Sequence, residues 1–338
     1  MKTYDITLSL VTPCISRGGL PETAEFRAPS IRGALRFWFR TLGGNKQREK
    51  ELFGGIGAKQ GEERKSQIIV RIKKEPAQKE YDTPAGIAGG KFDYFLGLWK
   101  SNEEKAYFPA DQEAEIQIID KSDSSDFEVA LKAFLYLGTL GSRSRRTYGS
   151  IYPKTVSCNG IPWENIPQTL EDFQNYLKSS GLVNATILSL SSGDRRFAVD
   201  SAKNFLKAFR CGSTKSGIPS VWGKAEHDLI KQIPNSAKMY RAALGLPLMQ
   251  RYSEAKRTYR FSLTQGERWA SPLLLKVIPI DGKFTSLAIF LKDYFIKENT
   301  DVYRDGRKFP LSHELINAMM DPNQTKVSGV KSTLLYTS

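Results

Sequence analysis

Residues 3–10 alternate without a break, with Tyr4, Ile6, Leu8 and Leu10 on one side and Thr3, Asp5, Thr7 and Ser9 on the other. A period of two fixes a strand with one buried face, because successive side chains point to opposite sides of a pleated chain. Such a strand needs partners of the same kind and an apolar layer on its inner face. The sequence supplies both. After Pro13 and Gly18-Gly19, the residues Ile31, Leu35, Trp38, Phe39 and Leu42 recur at helical spacing. Ser30 is the expected N-cap, and Gly43-Gly44 the expected stop. Two further strands are expected at 66–73, through Ile68, Val70 and Ile72, and at 113–120, through Ala114, Ile116 and Ile118. Ser125 and Glu128 have capping-box spacing and open a second helix with Phe127, Ala130, Leu131, Phe134 and Leu137 on its apolar face. A strand at 150–154 closes the series.

The order βαββαβ over residues 3–156 predicts an α+β fold, a ferredoxin-like (RRM-like) module with an antiparallel sheet and helices on one face. Pro162, Pro167 and Gly181 bracket a short polar helix, which places a domain boundary near 157–181. Strand-like runs then recur at 184–190, 258–263, 272–280 and 284–291, with helical patterns at 197–209 and 311–320. The expected organisation is two tandem modules, 1–156 and 157–338, the second diverged and interrupted by a long helical insertion at 210–257.

The chain of 338 residues carries a formal net charge of +14. That excess points to a polyanionic partner. It is unevenly spread. Residues 195–224 hold Arg195, Arg196, Lys203, Lys207, Arg210, Lys215 and Lys224 against Asp200 alone. Residues 238–276 hold eight cations, among them Arg257 and Arg268, against Glu254 and Glu267. By contrast, 103–128 carries nine acids against Lys105 and Lys121, which reads as a face for a basic protein neighbour.

The densest basic feature is the loop Gly138-Thr-Leu-Gly-Ser-Arg-Ser-Arg-Arg-Thr-Tyr-Gly149. Gly141 and Gly149 let the backbone approach a ligand, and the forks of Arg143, Arg145 and Arg146 suit phosphate. Tyr148 offers a ring on which a base can stack. On the first helix, Arg32, Arg36 and Arg40 lie at i, i+4 and i+8, one basic stripe beside the apolar one.

Catalytic signatures are missing. Gly54-Gly55-Ile-Gly57 lacks the Gly-Lys-Ser/Thr ending of a phosphate-binding loop, and Cys14, Cys158 and Cys211 show no zinc spacing. The two histidines are His227 and His313. A chain without leader-like or membrane-length apolar runs is expected in the cytoplasm. The residues favour a noncatalytic binder without cofactor or metal. A metal-independent endoribonuclease with His227 as general base is one alternative, and a purely structural adaptor the other.

Ile31-Arg-Gly-Ala-Leu-Arg-Phe-Trp-Phe-Arg40, after the strand ending Val11-Thr-Pro13, resembles the N-terminal signature of the RAMP superfamily, RNA-binding subunits of CRISPR effectors. Leu52-Phe-Gly-Gly55 and the Gly/Arg loop match as well. Together they resemble the first RAMP subunit of type III-B (Cmr) complexes, whose second half is similar around Arg268-Trp-Ala-Ser-Pro272. The resemblance implies two ferredoxin-like modules and a noncatalytic role at the end of the complex that handles the 3′ portion of the guide RNA and its paired target RNA. The implied partners are a neighbouring end-cap RAMP subunit and the repeated backbone subunit. The residues carried over as RNA contacts are Arg32, Arg36, Arg40, Gly141, Arg143, Arg145, Arg146, Tyr148 and Gly149. Arg195, Arg196, Lys215, Arg257 and Arg268 extend the set into the second half.

Overall fold

A computed structural model describes residues 1–19, 23–55, 63–81, 105–163, 165–182, 184–212, 218, 222, 226, 238–246, 248–252, 257–263, 269–304, 307–323 and 327–338. The chain divides into two compact units, Met1–Val183 with Gly193–Arg195 and Leu275–Thr285, and Asn184–Ser192 with Arg196–Leu274 and Ser286–Ser338. The fold is mixed, with antiparallel strand pairs and helices.

The first part of the chain runs β1 (Lys2–Leu10), α1 (Ala28–Thr41), α2 (Lys46–Phe53), β2 (Ile68–Lys74), β3 (Lys79–Tyr81), β4 (Lys105–Tyr107), β5 (Glu113–Asp120), α3 (Ser125–Leu137), β6 (Ile151–Cys158), β7 (Ile161–Pro162) and α4 (Leu170–Ser179). The strands order as β2-β5-β1-β6-β7, with β3 and β4 forming a separate ribbon. Alternation sets the register, since Tyr4 lies opposite Ile118, Ile6 opposite Ile116 and Leu8 opposite Ala114, all on the inner face. Onto that face pack Ile31, Leu35, Trp38 and Phe39 of α1 and Phe127, Leu131 and Phe134 of α3. Aromatic rings link the layers, with Phe53 at 5.8 Å from Phe39 and 6.2 Å from Phe127.

Two caps differ from expectation. Arg27, not Ser30, is the N-cap of α1, because Pro29 sits in the first turn, where its missing N–H has no intrahelical role. Ser124 is the N-cap of α3 without a side-chain bond, so the Ser125/Glu128 capping box does not form. Glu128 instead accepts from Lys2 Nζ at 2.5 Å and from the Tyr4 hydroxyl at 2.9 Å. A tertiary partner has outcompeted the local one.

The second part runs β8 (Ala185–Gly193), α5 (Arg195–Cys211), β9 (Leu248–Tyr252), β10 (Arg257–Phe261), β11 (Leu273–Ile280), β12 (Lys283–Leu291), β13 (Asp301–Arg304), β14 (Arg307–Pro310), α6 (Glu314–Met320) and β15 (Thr333–Thr337). Its main sheet orders as β11-β12-β8-β15, with β9/β10 and β13/β14 as separate hairpin-like ribbons. Ala198, Ala202, Phe205 and Phe209 of α5 are buried, as are Leu315, Ile316 and Met319 of α6. No helix among the described residues is long and apolar enough to cross a membrane.

The acidic stretch does not form an unpaired patch. Asp111 pairs with Arg195, Glu113 with Lys154, Glu115 with Lys74 at 3.7 Å, Asp123 with Lys2 at 3.2 Å and Asp126 with Arg48 at 3.5 Å. Asp120 is buried and accepts from Ser122 N at 2.7 Å. The docking face expected at 103–128 is therefore largely neutralised within the chain. Glu103 and Glu104 lie outside the described residues.

Candidate nucleic-acid interface

Helix α1 turns a partly basic side away from the core. Its stripe Ile31, Leu35, Trp38 and Phe39 is buried, which leaves Arg32, Gly33, Arg36, Phe37 and Arg40 outside or half-outside. Its first turn has no acid and no side-chain cap, so the positive end of the helix dipole is not offset locally.

The three expected arginines of α1 do different things. Arg36 is turned toward α2, where its guanidinium donates to the carbonyls of Phe53 (3.3 Å) and Gly54 and stands 5.8 Å over the Phe53 ring. Glu49 lies 3.6 Å from Arg36 Nε and 3.8 Å from Arg40 Nε. Arg36 thus supplies the cation that the orphan carbonyls at the end of α2 call for. Arg40 stays exposed beside the same acid. Arg32 is half-buried and has no ion-pair partner among the described residues.

The Gly/Arg loop is braced, not open. Leu140 N donates to Gly149 O, Ser142 N to Ile15 O, Arg146 N to Arg143 O, Thr147 N to Leu275 O and Gly149 N to Pro13 O, all at 2.7–2.8 Å. Ser150 Oγ donates to Thr147 O at 2.7 Å and accepts from Val277 N at 3.1 Å. The N–H groups expected to line an anion concavity are in large part satisfied by the chain itself. The glycines are explained in the same way. A Cβ on Gly141 would lie 2.6 Å from Ile15 O, and one on Gly149 1.8 Å from Leu140 O, both at positive φ. The close approach they permit is to the protein's own backbone.

Bracing presents the side chains unequally. Arg143, at φ 59°, is exposed, while Arg145 and Arg146 are half-buried. The Arg145 guanidinium stands 5.2 Å over the ring of Phe37, which brings the loop onto α1. All three loop arginines have partners within the protein, so they are anchored as well as presented. Tyr148 is only 4% exposed and belongs to the core, which removes it as a stacking platform.

Of the remaining expected contacts, Arg195 and Arg196 fall among the described residues. Arg195 is paired with Asp111 and stands 4.6 Å over Phe284. Arg196 is exposed at the start of α5, 3.9 Å from Asp200. Lys215 and Arg268, the side chain of Arg257, and His227 lie outside the described residues. His313 Nε2 lies 2.6 Å from Ile296 O, and its ring 5.6 Å from that of Phe295, a packing role. No group of three or more metal-ligating side chains occurs among the described residues.

The outer face of the first sheet offers a contrast. Its middle positions are Asp5, Thr7, Arg71, Glu115, Gln117, Thr155 and Ser157. Gln117 Nε2 donates to Asp5 Oδ1 at 2.9 Å, and Thr155 Oγ1 to Thr7 Oγ1 at 3.0 Å. That face has neither the stacking aromatics of an RRM-type sheet nor an excess of cations.

Residues 7–152 match the sequence profile of the RAMP superfamily. The CRISPR system Cmr subunit Cmr1-1 of Pyrococcus furiosus is 26% identical over 292 residues, 78% of this chain and 79% of that protein. Cmr1-2 of the same organism is 31% identical over 81 residues, 21% of this chain and 40% of that protein. In fold, the chain is similar to the crystal structure of Cmr1 from Pyrococcus furiosus in its apo form, with a TM-score of 0.59 at 18% identity, covering 99% of this chain and 98% of that one. It is also similar to a chain of the Type III-B Cmr-beta complex bound to cognate target RNA, with a TM-score of 0.50 at 12% identity, covering 94% and 98%. The braced Gly/Arg loop and the Arg-bearing helix it rests on lie within the stretch that matches the RAMP superfamily profile, and the chain is similar over most of its length to Cmr1 subunits.

Proposed function

We propose that the protein is a noncatalytic RNA-binding subunit of a type III-B CRISPR effector in antiviral defence, holding the 3′ portion of the guide RNA and its paired target through backbone phosphates. The observation that carries this reading is the seating of Arg145 on Phe37, 5.2 Å from guanidinium to ring, which makes one cationic surface of the loop and α1. Arg143 and Arg146 belong to the same loop, and Arg32 and the uncapped start of α1 to the same helix as Phe37. Guanidinium groups on a fixed backbone bind phosphate without reading bases, so sequence is left to guide–target pairing. The neighbouring end-cap RAMP subunit and the repeated backbone subunit are the proposed protein partners, and no cofactor is required.

The same proposal takes the two sheets as diverged copies of one ferredoxin-like module. With only main-sheet strands numbered in chain order, β11-β12-β8-β15 reads 2-3-1-4 and β2-β5-β1-β6-β7 reads the same with β7 added at its edge.

The test is RNA binding by the full chain across a salt series, with every reaction run on a denaturing gel in EDTA. Arg143/Arg146→Ala should lower affinity for unrelated sequences alike and reduce the salt slope by about 1 for each phosphate contact removed. An unchanged slope would move RNA off this surface, and cleaved RNA would restore the nuclease reading.

A further inference from the structure

Three consecutive residues of β11 hold the Gly/Arg loop at three separate points, all within the first unit. Leu275 takes the middle of the loop, donating from its N–H to Arg145 O at 3.1 Å and accepting from Thr147 N at 2.8 Å. Val277 N donates to Ser150 Oγ at 3.1 Å, just past the loop's last glycine. Between them, the side chain of Lys276 reaches the loop's first residue, where Nζ donates to Gly138 O at 2.7 Å. Backbone and side chain together grip the loop from Gly138 to Ser150.

The lysine is the costly part of that grip. It is fully buried, and taking an amine out of water is unfavourable unless it is hydrogen-bonded. A methionine would fill about the same space without that cost. What the lysine adds is a donor at the end of α3. Gly138 is the C-cap of that helix, whose last turn holds no basic residue of its own. The final carbonyls of a helix lack intrahelical partners and carry the negative end of its dipole. Lys276 meets that need from 138 residues away in the chain, and so fixes where α3 stops and the loop begins. The loop requires such fixing. Arg143 at φ 59° and Thr147 at φ 67° hold left-handed backbone angles on either side of Arg145 and Arg146. Angles of that kind persist in non-glycine residues only where the surroundings over-determine them.

We infer that Lys276 is a positioning residue for RNA binding: buried and out of reach of RNA itself, it sets through Gly138 O the spacing at which Arg143, Arg145 and Arg146 meet phosphates. The inference rests on the reading of the loop as a phosphate-binding surface.

The test compares the full-length wild type with Lys276→Met and with Ser150→Ala, which removes the acceptor of Val277 N. RNA binding is measured across a salt series at neutral pH, with urea midpoints and hydrogen exchange of the loop amides alongside. Lys276→Met should keep a urea midpoint close to that of wild type. Its RNA affinity should fall about tenfold and its salt slope by about 1, because the arginines no longer engage phosphates together. Exchange at the N–H groups of Thr147 and Gly149 should quicken about tenfold, while the centres of β1 and β5 stay as they were. Ser150→Ala should move affinity and slope in the same direction. A residue that only stabilised the fold would change the fraction of protein able to bind and leave the slope alone. Wild-type affinity and slope in Lys276→Met, with the slope flattened in Arg143/Arg146→Ala, would overturn this inference and spare the phosphate surface. An unchanged slope in Arg143/Arg146→Ala would remove the phosphate surface and the positioning role with it. If Lys276→Met does not fold, Ser150→Ala decides, and a wild-type slope there overturns the inference.

Discussion

Arg36 and Phe53 are joined twice, through a hydrogen bond from the guanidinium to the Phe53 carbonyl at 3.3 Å and through the guanidinium's position 5.8 Å over the Phe53 ring. Two motifs 17 residues apart in the chain are thereby one structural unit. Replacing Arg36 with Ala leaves the last carbonyls of α2 without their cation. The expected cost is about 1.5–3 kcal/mol, the range for hydrogen bonds to charged groups. Lys should restore little of it, because a single ammonium cannot reproduce the planar fork. Denaturant midpoints check this, and RNA affinity per folded molecule should change far less than stability.

Arg145 is expected to behave differently from Arg143. Its guanidinium is seated on Phe37, so Arg145→Ala should lower both stability, by about 0.5–1 kcal/mol, and RNA affinity. Arg143 is exposed, with a partner of its own within the protein, so its removal should cost less stability than Arg145→Ala for a comparable loss of RNA affinity. Urea titration and the salt series on the same two variants separate the effects.

Arg195 was expected to contact RNA, yet it is paired with Asp111 and laid over Phe284. Arg195→Ala should therefore destabilise the fold while leaving the salt slope of RNA binding in place. A flattened slope with an unchanged melting point would contradict this assignment.

Lys276 is fully buried, and its ammonium donates to Gly138 O at 2.7 Å. Burial pushes its pKa well below the ordinary lysine value. The unfolded chain then carries one more proton than the folded chain between the folded pKa and about 10.4, so this group makes stability rise with pH across that interval. Lys276→Met should flatten the rise. Comparing how the urea midpoint changes between neutral pH and about pH 9 in the two proteins reads the difference, since the other titrating groups are common to both.

Gly149 has φ 65°, and a Cβ there would lie 1.8 Å from Leu140 O. Gly149→Ala should cost roughly 3 kcal/mol or more, since neither the backbone angle nor the space can be kept. Thermal melting checks it.

Much of the fold was legible because period decides it. The alternation at 3–10 and 113–120 returned β1 and β5 nearly residue for residue, and the stripe from Ile31 returned α1. Helix α2 was not legible, since Lys-Gln-Arg-Glu-Lys-Glu-Leu-Phe offers two apolar residues and no stripe. The strand β15 and the β13–β14 ribbon were missed because they are short and their burial comes from neighbours distant in sequence. At the interface, residue types indicated a basic loop beside a basic helix. They could not show that Arg36 and Arg195 are taken up within the protein, or that Tyr148 faces inward, because those outcomes depend on Phe53, Asp111 and the core packing around the loop.

The brace around Arg143–Gly149 settles the loop's conformation when the chain folds. Binding a nucleic acid would then order only side-chain rotamers and leave the main chain as it was. Association should be fast, driven mainly by ions released from the nucleic acid, and should show a small heat-capacity change. On the proposed reading, such a loop would act as a rigid gauge of phosphate spacing, insensitive to the identity of the strand that lies across it.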